Sequence, residues 1–354
     1  MIGPGAGKAS SGGIVVVIDN IMKHLDHNLL VKHIVTMRPS SAIMHIYTYL
    51  CSLLSILFNM INNDTKIAHI HMSYRTSFYR KSSIIVLLKL FRIPIIIHLH
   101  SGEFDLFFED LGPMMQKYVK WIYGLSDRTI LLTKGWRKWY KEKIDTNESA
   151  VIYNGVDSYL DKGSIPVNQR ENIVLFLGRL EEKKGIYDLL YAFEKIVQAV
   201  PDARLKICGD GEMAKCKELA EVLHLNTQVD FLGWVDEKEK HQLLNRSKIY
   251  ILPSYYEGLP MGVLEAMSAG IAIIVTDVGG TPEAIKNRKN GILIKAGSRE
   301  QIYENTVFLL RSPNKTEQLG KEARKDFLKN FDISKIANSI AGIYYEVLKN
   351  RTEK

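Results

Sequence analysis

Short runs of Ile, Val and Leu recur along the chain, separated by longer stretches whose apolar positions fall three and four apart. The first kind of run suits a strand buried on both faces, and the second an amphipathic helix. In the first half the pattern predicts strands at 29–37, 66–72, 94–100, 128–133 and 150–153, and helices at 13–26, 41–61, 76–91, 112–125 and 135–143. In the second half strands are expected at 172–177, 204–208, 229–232, 248–252, 271–275 and 291–294. Helices there are expected at 185–199, 212–224, 236–246, 261–269 and 299–311, and the tail from 315 onward reads as helical. Strand and helix alternating in this way build parallel sheets covered on both faces, so the chain is read as α/β. Residues 158–170 hold Lys162, Gly163, Pro166 and Asn168 with no apolar period, which reads as a linker. The expected domains are therefore 1–163 and 164–332, followed by a terminal helix over 333–354.

Two segments sit uneasily in this pattern. From Ser41 to Ile61 there is no formally charged residue, and the length would span a bilayer. His45, Thr48, Ser52, Ser55 and Asn59 make it a poor spanning helix. A core-packed helix is the expected reading, ahead of one lying at a membrane interface and well ahead of a spanning one. At the start, Met1 and Ile2 alone precede Gly3-Pro4-Gly5, so the first strand of the first domain is expected to be short or missing.

Composition narrows the class. A chain of 354 residues with 46% hydrophobic and 24% charged residues suits two globular domains. The net charge is +8, and the excess lies in the first half: residues 1–160 hold 18 Lys/Arg against 12 Asp/Glu, the remainder 29 against 27. A basic first domain suits anionic lipid or a lipid-linked acceptor, and equally a plain solvated surface. Nucleic acid ranks last and none is expected, because no aromatic-basic interleaving or zinc spacing appears. Cys51, Cys208 and Cys216 are too scattered for a disulfide framework or a metal site, which points to a reduced cytosolic setting. The start lacks a charged region followed by an apolar core, so no signal peptide is read there.

Candidate chemistry concentrates near residue 255. After the apolar run Ile249 to Pro253 comes Ser254-Tyr255-Tyr256-Glu257-Gly258-Leu259-Pro260, then Met261 to Met267 with Glu265 inside. Proline suits the first helical position, so Pro260 is expected to open a helix whose free N–H groups and positive dipole end face the loop. Such an end suits phosphate or polarised sugar oxygens. Glu265 lies five residues past Pro260, about 7.5 Å along the axis, so the two carboxylates can meet different parts of one ligand. Arg179 and Lys184 follow a predicted strand end between Gly178 and Gly185, where a guanidinium and an ammonium suit a diphosphate. Ser11-Gly12-Gly13 opens a predicted helix, and its glycines allow close approach of a phosphate or sugar. The preceding Gly3 to Ser10 imitates a phosphate-binding P-loop but lacks the spaced glycine, the hydroxyl residue and the strand. His98 and His100 share one face of a strand, with His100 nearest its carboxyl end and Glu103 just beyond. His69 and His71 form a similar pair that is read as core.

These residues fall in an ordered series. It runs through Leu177-Gly178-Arg179-Leu180, Lys183-Lys184-Gly185, Cys208-Gly209-Asp210-Gly211, Phe231-Leu232-Gly233, the glutamate pair, Asp277-Val278-Gly279-Gly280-Thr281-Pro282-Glu283 and Asn290-Gly291-Ile292-Leu293. The series resembles the glutamate-x7-glutamate signature region of the family-4 glycosyltransferases of the GT-B fold. That resemblance implies two doubly wound Rossmann-like domains facing a cleft, with a C-terminal helix crossing back to the first. It implies a retaining glycosyltransferase with a nucleotide-diphosphate sugar as donor; no residue cluster argues for a catalytic metal, since the basic pair can counter the diphosphate charge, and no cofactor is expected. By the same resemblance Arg179 and Lys184 neutralise the leaving diphosphate, and Glu265 accepts hydrogen bonds from the ribose hydroxyls. Glu257 lies near the donor sugar, the N–H groups of Gly258 and Leu259 hold sugar or phosphate, Gly12 and Gly13 lie near the diphosphate, and His100 stands beside the sugar. The implied route is same-face attack, with the leaving phosphate oxygen taking the acceptor proton. The expected acceptor is a lipid-linked or surface-polysaccharide glycan, met in the cytoplasm at the inner face of the membrane. Two rivals share the features: a nucleotide-sugar epimerase of the same fold, and a non-enzymatic subunit that binds a nucleotide sugar.

Overall fold

The computed structural model describes residues 1–5, 13–38, 41–62, 65–159 and 165–352. They divide into one unit of Met1–Gly155 with Ile333–Lys354, and a second of Val156–Asp332. Each is built on one parallel six-stranded sheet.

The first unit's strands are β1 (Ile2–Pro4), β2 (Ile34–Met37), β3 (Ala68–Met72), β4 (Ile95–Leu99), β5 (Arg128–Leu131) and β6 (Ser149–Val151), ordered β2-β1-β3-β4-β5-β6. Its helices are α1 (Gly13–His24), α2 (Ala42–Ile61), α3 (Thr76–Leu90), α4 (Phe104–Glu109), α5 (Pro113–Gly124) and α6 (Lys134–Lys143). Every residue of β3 and β4 is buried, as helix-covered parallel strands require. β1 is short, as expected, and present: Ile2 pairs with Ile34 on one side and Ile70 on the other. α4 escaped the periodicity because six residues make less than two turns, yet it seats Phe104, Phe107 and Phe108 against Phe78, Tyr123 and Trp139.

The second unit's strands are β7 (Glu171–Leu177), β8 (Arg204–Cys208), β9 (Val229–Gly233), β10 (Ser247–Leu252), β11 (Ala272–Thr276) and β12 (Ile292–Ile294), ordered β12-β11-β10-β7-β8-β9. Its helices are α7 (Ile186–Ala199), α8 (Met213–Val222), α9 (Glu237–Arg246), α10 (Met261–Ser268), α11 (Thr281–Ala284), α12 (Arg299–Arg311) and α13 (Pro313–Asn330). Counted within the unit, the order is 3-2-1-4-5-6, the doubly wound arrangement whose direction reverses between the first and fourth strands. Here that switch point lies between β7 and β10. A last helix, α14 (Ile333–Thr352), packs on α1 and sends Tyr344 to His69 of β3, so it completes the first unit's core. Gly155 makes room for it: a Cβ there would stand 2.9 Å from Ile336 Cγ1 and 3.0 Å from Ile333 Cα.

The core reading of α2 is overturned. Its inward face holds Ser52, Ile56, Asn59 and Met60, while Ile43, Leu54 and Ile61 are 81%, 67% and 71% exposed. The physical reason is its seat. α2 packs on β2, a four-residue strand at the sheet edge, which offers too little surface to cover a twenty-residue apolar helix.

Candidate active site

Four loops gather at the carboxyl end of the second sheet, on either side of its switch point. Glycines set their spacing. Gly185 (φ +68°) would place a Cβ 2.1 Å from the Pro253 carbonyl oxygen, Gly209 (φ +144°) 1.9 Å from that of Gly178, and Gly279 (φ +54°) 1.7 Å from that of Glu257. A side chain is excluded at each, by backbone conformation and by contact. The loops are also bonded to one another. Leu180 N–H donates to the Asp210 carbonyl at 2.7 Å, Tyr255 N–H to that of Lys183 at 2.8 Å, and Gly280 N–H to that of Gly258 at 2.7 Å.

Arg179, Lys184, Glu257, Gly258, Leu259 and Glu265 all lie on these loops or on α10 behind them. Glu257 is 8% exposed; its Oε1 accepts from Lys184 Nζ and from Ser254 Oγ, both at 2.7 Å. It is Lys184, rather than its neighbour Lys183, that faces this carboxylate. Arg179 is largely exposed, with Nε 3.6 Å from Asp210 Oδ1, so its guanidinium is open to a ligand. The Leu259 side chain is buried. Pro260 caps α10 in extended conformation, one position before the expected place, and the helix starts at Met261. Behind it Gly262 lies against Tyr250: a Cβ would meet its Oη at 2.4 Å.

Glu265 is buried inside α10 and accepts from Lys240 Nζ at 2.7 Å; the same ammonium donates to Glu237 Oε1 at 2.7 Å. Burial pushes the Glu265 carboxyl above the usual carboxylate range, and Lys240 offsets part of that. Burial pulls the Lys240 ammonium the other way, but Glu265 and Glu237 outweigh it and hold the ammonium charged. Ser254, Asp210 and Lys240 were missed as functional partners. Ser254 and Asp210 stand within the motifs themselves. Lys240 carries no sequence signal, being 25 positions from Glu265 on a different helix.

His100 and Gly13 belong to the first unit. His100 follows β4 and its Nε2 lies 2.9 Å from His71 Nδ1. His69 joins Tyr344 Oη at 2.6 Å through Nδ1 and His98 Nδ1 at 3.2 Å through Nε2. Burial lowers the pKa of all four imidazoles, His98 to about 3, so all are neutral at pH 7. Nitrogens of His69, His71 and His98 lie within 4.8 Å of one another, close enough for a metal ion. His69 already engages both of its nitrogens within this stack. Lys81 went unnoticed in the sequence: it is buried, donates to the His71 carbonyl and to Ser77 Oγ, and burial lowers it to about 7. Glu103 accepts from Tyr74 Oη at 2.7 Å. Gly13 is exposed at the start of α1, and Gly12 lies outside the described residues.

Two family models match the chain: "Glycosyltransferase Family 4" over residues 11–159 and "Glycosyl transferases group 1" over residues 159–326. The chain belongs to family 4 of the glycosyltransferases, with the GT-B fold. The N-acetyl-alpha-D-glucosaminyl L-malate synthase of Bacillus anthracis is 28% identical over 73% of this chain and 69% of its own. The Escherichia coli UDP-Gal:alpha-D-GlcNAc-diphosphoundecaprenol alpha-1,3-galactosyltransferase is 26% identical over 59% of this chain and 57% of its own. With other curated relatives the match spans about half of their length, 53% and 48%. The crystal structure of Anabaena HepE in complex with UDP and glucose superposes with a TM-score of 0.74 at 17% identity, over 97% of this chain and 99% of that one. This glycosyltransferase thus shares its fold with a UDP-binding protein.

Proposed function

We propose that this glycosyltransferase moves a sugar from a UDP-sugar to a lipid-linked or surface-polysaccharide glycan, with retention at the anomeric carbon. The observation that carries the proposal is the convergence, at one switch point, of two cations and two buried carboxylates. Arg179 and Lys184 counter the leaving diphosphate, Arg179 as a fork and Lys184 as a point charge, so the reading needs no metal. Glu265 accepts from the vicinal ribose hydroxyls once Lys240 gives way, since two carboxylate oxygens match a diol. Glu257, fixed by Lys184 and Ser254, orients the donor sugar, and the Gly258 and Leu259 amides hold its oxygens. Departure of the diphosphate and same-face delivery of the acceptor hydroxyl follow, with a phosphate oxygen taking the proton.

The uridine base is supported by the relatives' UDP and UDP-Gal, and the lipid-linked acceptor by the diphosphoundecaprenol of the E. coli relative. The roles of His100 and Gly13 rest on the family resemblance alone. The setting in this reading is cytoplasmic, at the inner face of the membrane. The test is turnover: UDP-hexose with a diphosphate-lipid-linked saccharide, product followed by mass and by the anomeric proton coupling. An axial donor giving an axial product linkage is expected. Inversion, or conversion of the UDP-sugar without any acceptor, would overturn the reading.

A further inference from the structure

We infer that the bare face of α2 is the surface through which the first unit lies on an anionic lipid bilayer. The inference extends the reading of a lipid-linked acceptor, but its grounds lie in the first unit alone.

The face is continuous. Ile43, Tyr47, Leu50, Leu54, Phe58 and Ile61 are spaced four, three, four, four and three apart, and each is more than half exposed. That spacing stacks them along one side of a helix about 30 Å long. Isolated exposed apolar residues need no explanation, whereas a contiguous patch of this length marks a contact surface.

The opposite side is anchored. Ser52, Ile56, Asn59 and Met60 are buried, Tyr49 Oη pairs with Ser83 Oγ, and Lys32 Nζ donates to Asn59 Oδ1 at 3.0 Å. A spanning helix would have to break these bonds and leave the sheet. A helix lying flat keeps them and still buries its stripe in the headgroup–acyl boundary.

Charge selects the occupant. The first unit holds 22 Lys/Arg against 13 Asp/Glu, while the second holds 25 against 26. The whole positive excess therefore travels with the helix. Exposed Lys32 and Lys66 stand at its carboxyl end, and exposed Arg38 precedes its amino end. An anionic surface attracts such a unit. A second copy docked on the same face would bring two strongly positive bodies together.

The test is flotation of the full chain, without nucleotide, on vesicles of phosphatidylglycerol mixed with phosphatidylcholine and of phosphatidylcholine alone. Wild type should float with the anionic vesicles, more weakly as salt rises, and be released by alkaline carbonate as a peripheral protein is. The variant Ile43→Glu/Leu50→Glu/Leu54→Glu/Phe58→Glu changes exposed positions and should lose at least tenfold in partitioning with its melting unchanged. Lys32→Glu/Lys66→Glu should lose the preference for anionic lipid. In an Ile46→Trp variant, brominated lipid should quench the new indole. Equal flotation of the fourfold variant, no flotation of wild type, or a vesicle-free dimer dissolved by the fourfold variant would each overturn the inference. A UDP-dependent melting shift, measured on the same samples, reports separately on the donor site.

Discussion

Glu265 and Lys240 hold each other, and the buried Glu265 carboxylate depends on the partly exposed ammonium for its charge partner. Removing the ammonium leaves a carboxylate in a dry place, a change that costs on the order of 3 kcal/mol. Lys240→Ala should therefore lower the denaturation midpoint well beyond what an ordinary surface lysine would. Arg179 is the opposite case. Its long contact with Asp210 is exposed at both partners and contributes about 0–1 kcal/mol. Arg179→Ala should melt close to wild type, yet turn over about 10²–10³ times more slowly, because in the proposed reading it removes the charge that counters the leaving diphosphate. A third substitution tests packing behind the site. Gly262→Ala forces a methyl against Tyr250 Oη, and should cost roughly 1–3 kcal/mol in a urea titration. These differences also mark what the sequence could carry. The site's glutamates, Arg179 and Lys184 are legible because they sit at fixed spacing in an ordered motif. Lys240 and Tyr344 reach their partners through folding alone, and no local pattern announces them.

At the scale of elements, strands were the legible part, because a buried parallel strand must be a run of β-branched and aliphatic residues whatever surrounds it. β8 and α12 fall where the periodicity places them, and most other boundaries move by a residue or two at frayed ends, but β2 begins only at Ile34, five residues after the expected start at 29. The burial of α2 was illegible for a physical reason. Periodicity shows that a helix has an apolar side, not whether the sheet extends far enough to cover it. The adjoining strands β3 and β4 carry a different consequence. Their histidines, together with His100, are held neutral by burial, so the unfolded chain binds protons more readily than the folded one below about 6.5, the ordinary histidine value. Stability then rises with pH across that window and is lost as pH falls through it. Each imidazole contributes at most about 1.4 kcal/mol per pH unit. Lys81, lowered by burial, acts in the same sense at higher pH. Three of the four tryptophans, Trp121, Trp136 and Trp139, report on this unit. Their fluorescence should show a sharp loss of thermal stability between about pH 7.5 and about 5.5, reduced in His98→Leu. A flat profile would contradict the neutral, buried stack.

For the molecule as a whole, chemistry and charge are divided between two bodies. The second unit carries the proposed donor site and is near neutral; the first carries the positive excess and the bare helix. The donor site can therefore be tested without an acceptor, a lipid or turnover. Melting of the full chain against UDP, GDP, ADP and ATP does this most directly, since a ligand at 100 times its Kd adds about 2.7 kcal/mol. UDP should raise the melting temperature, and the shift should be absent in Glu265→Ala and sharply reduced in Arg179→Ala. No shift with any nucleoside diphosphate, or a UDP shift that survives Glu265→Ala, would contradict the proposed donor site.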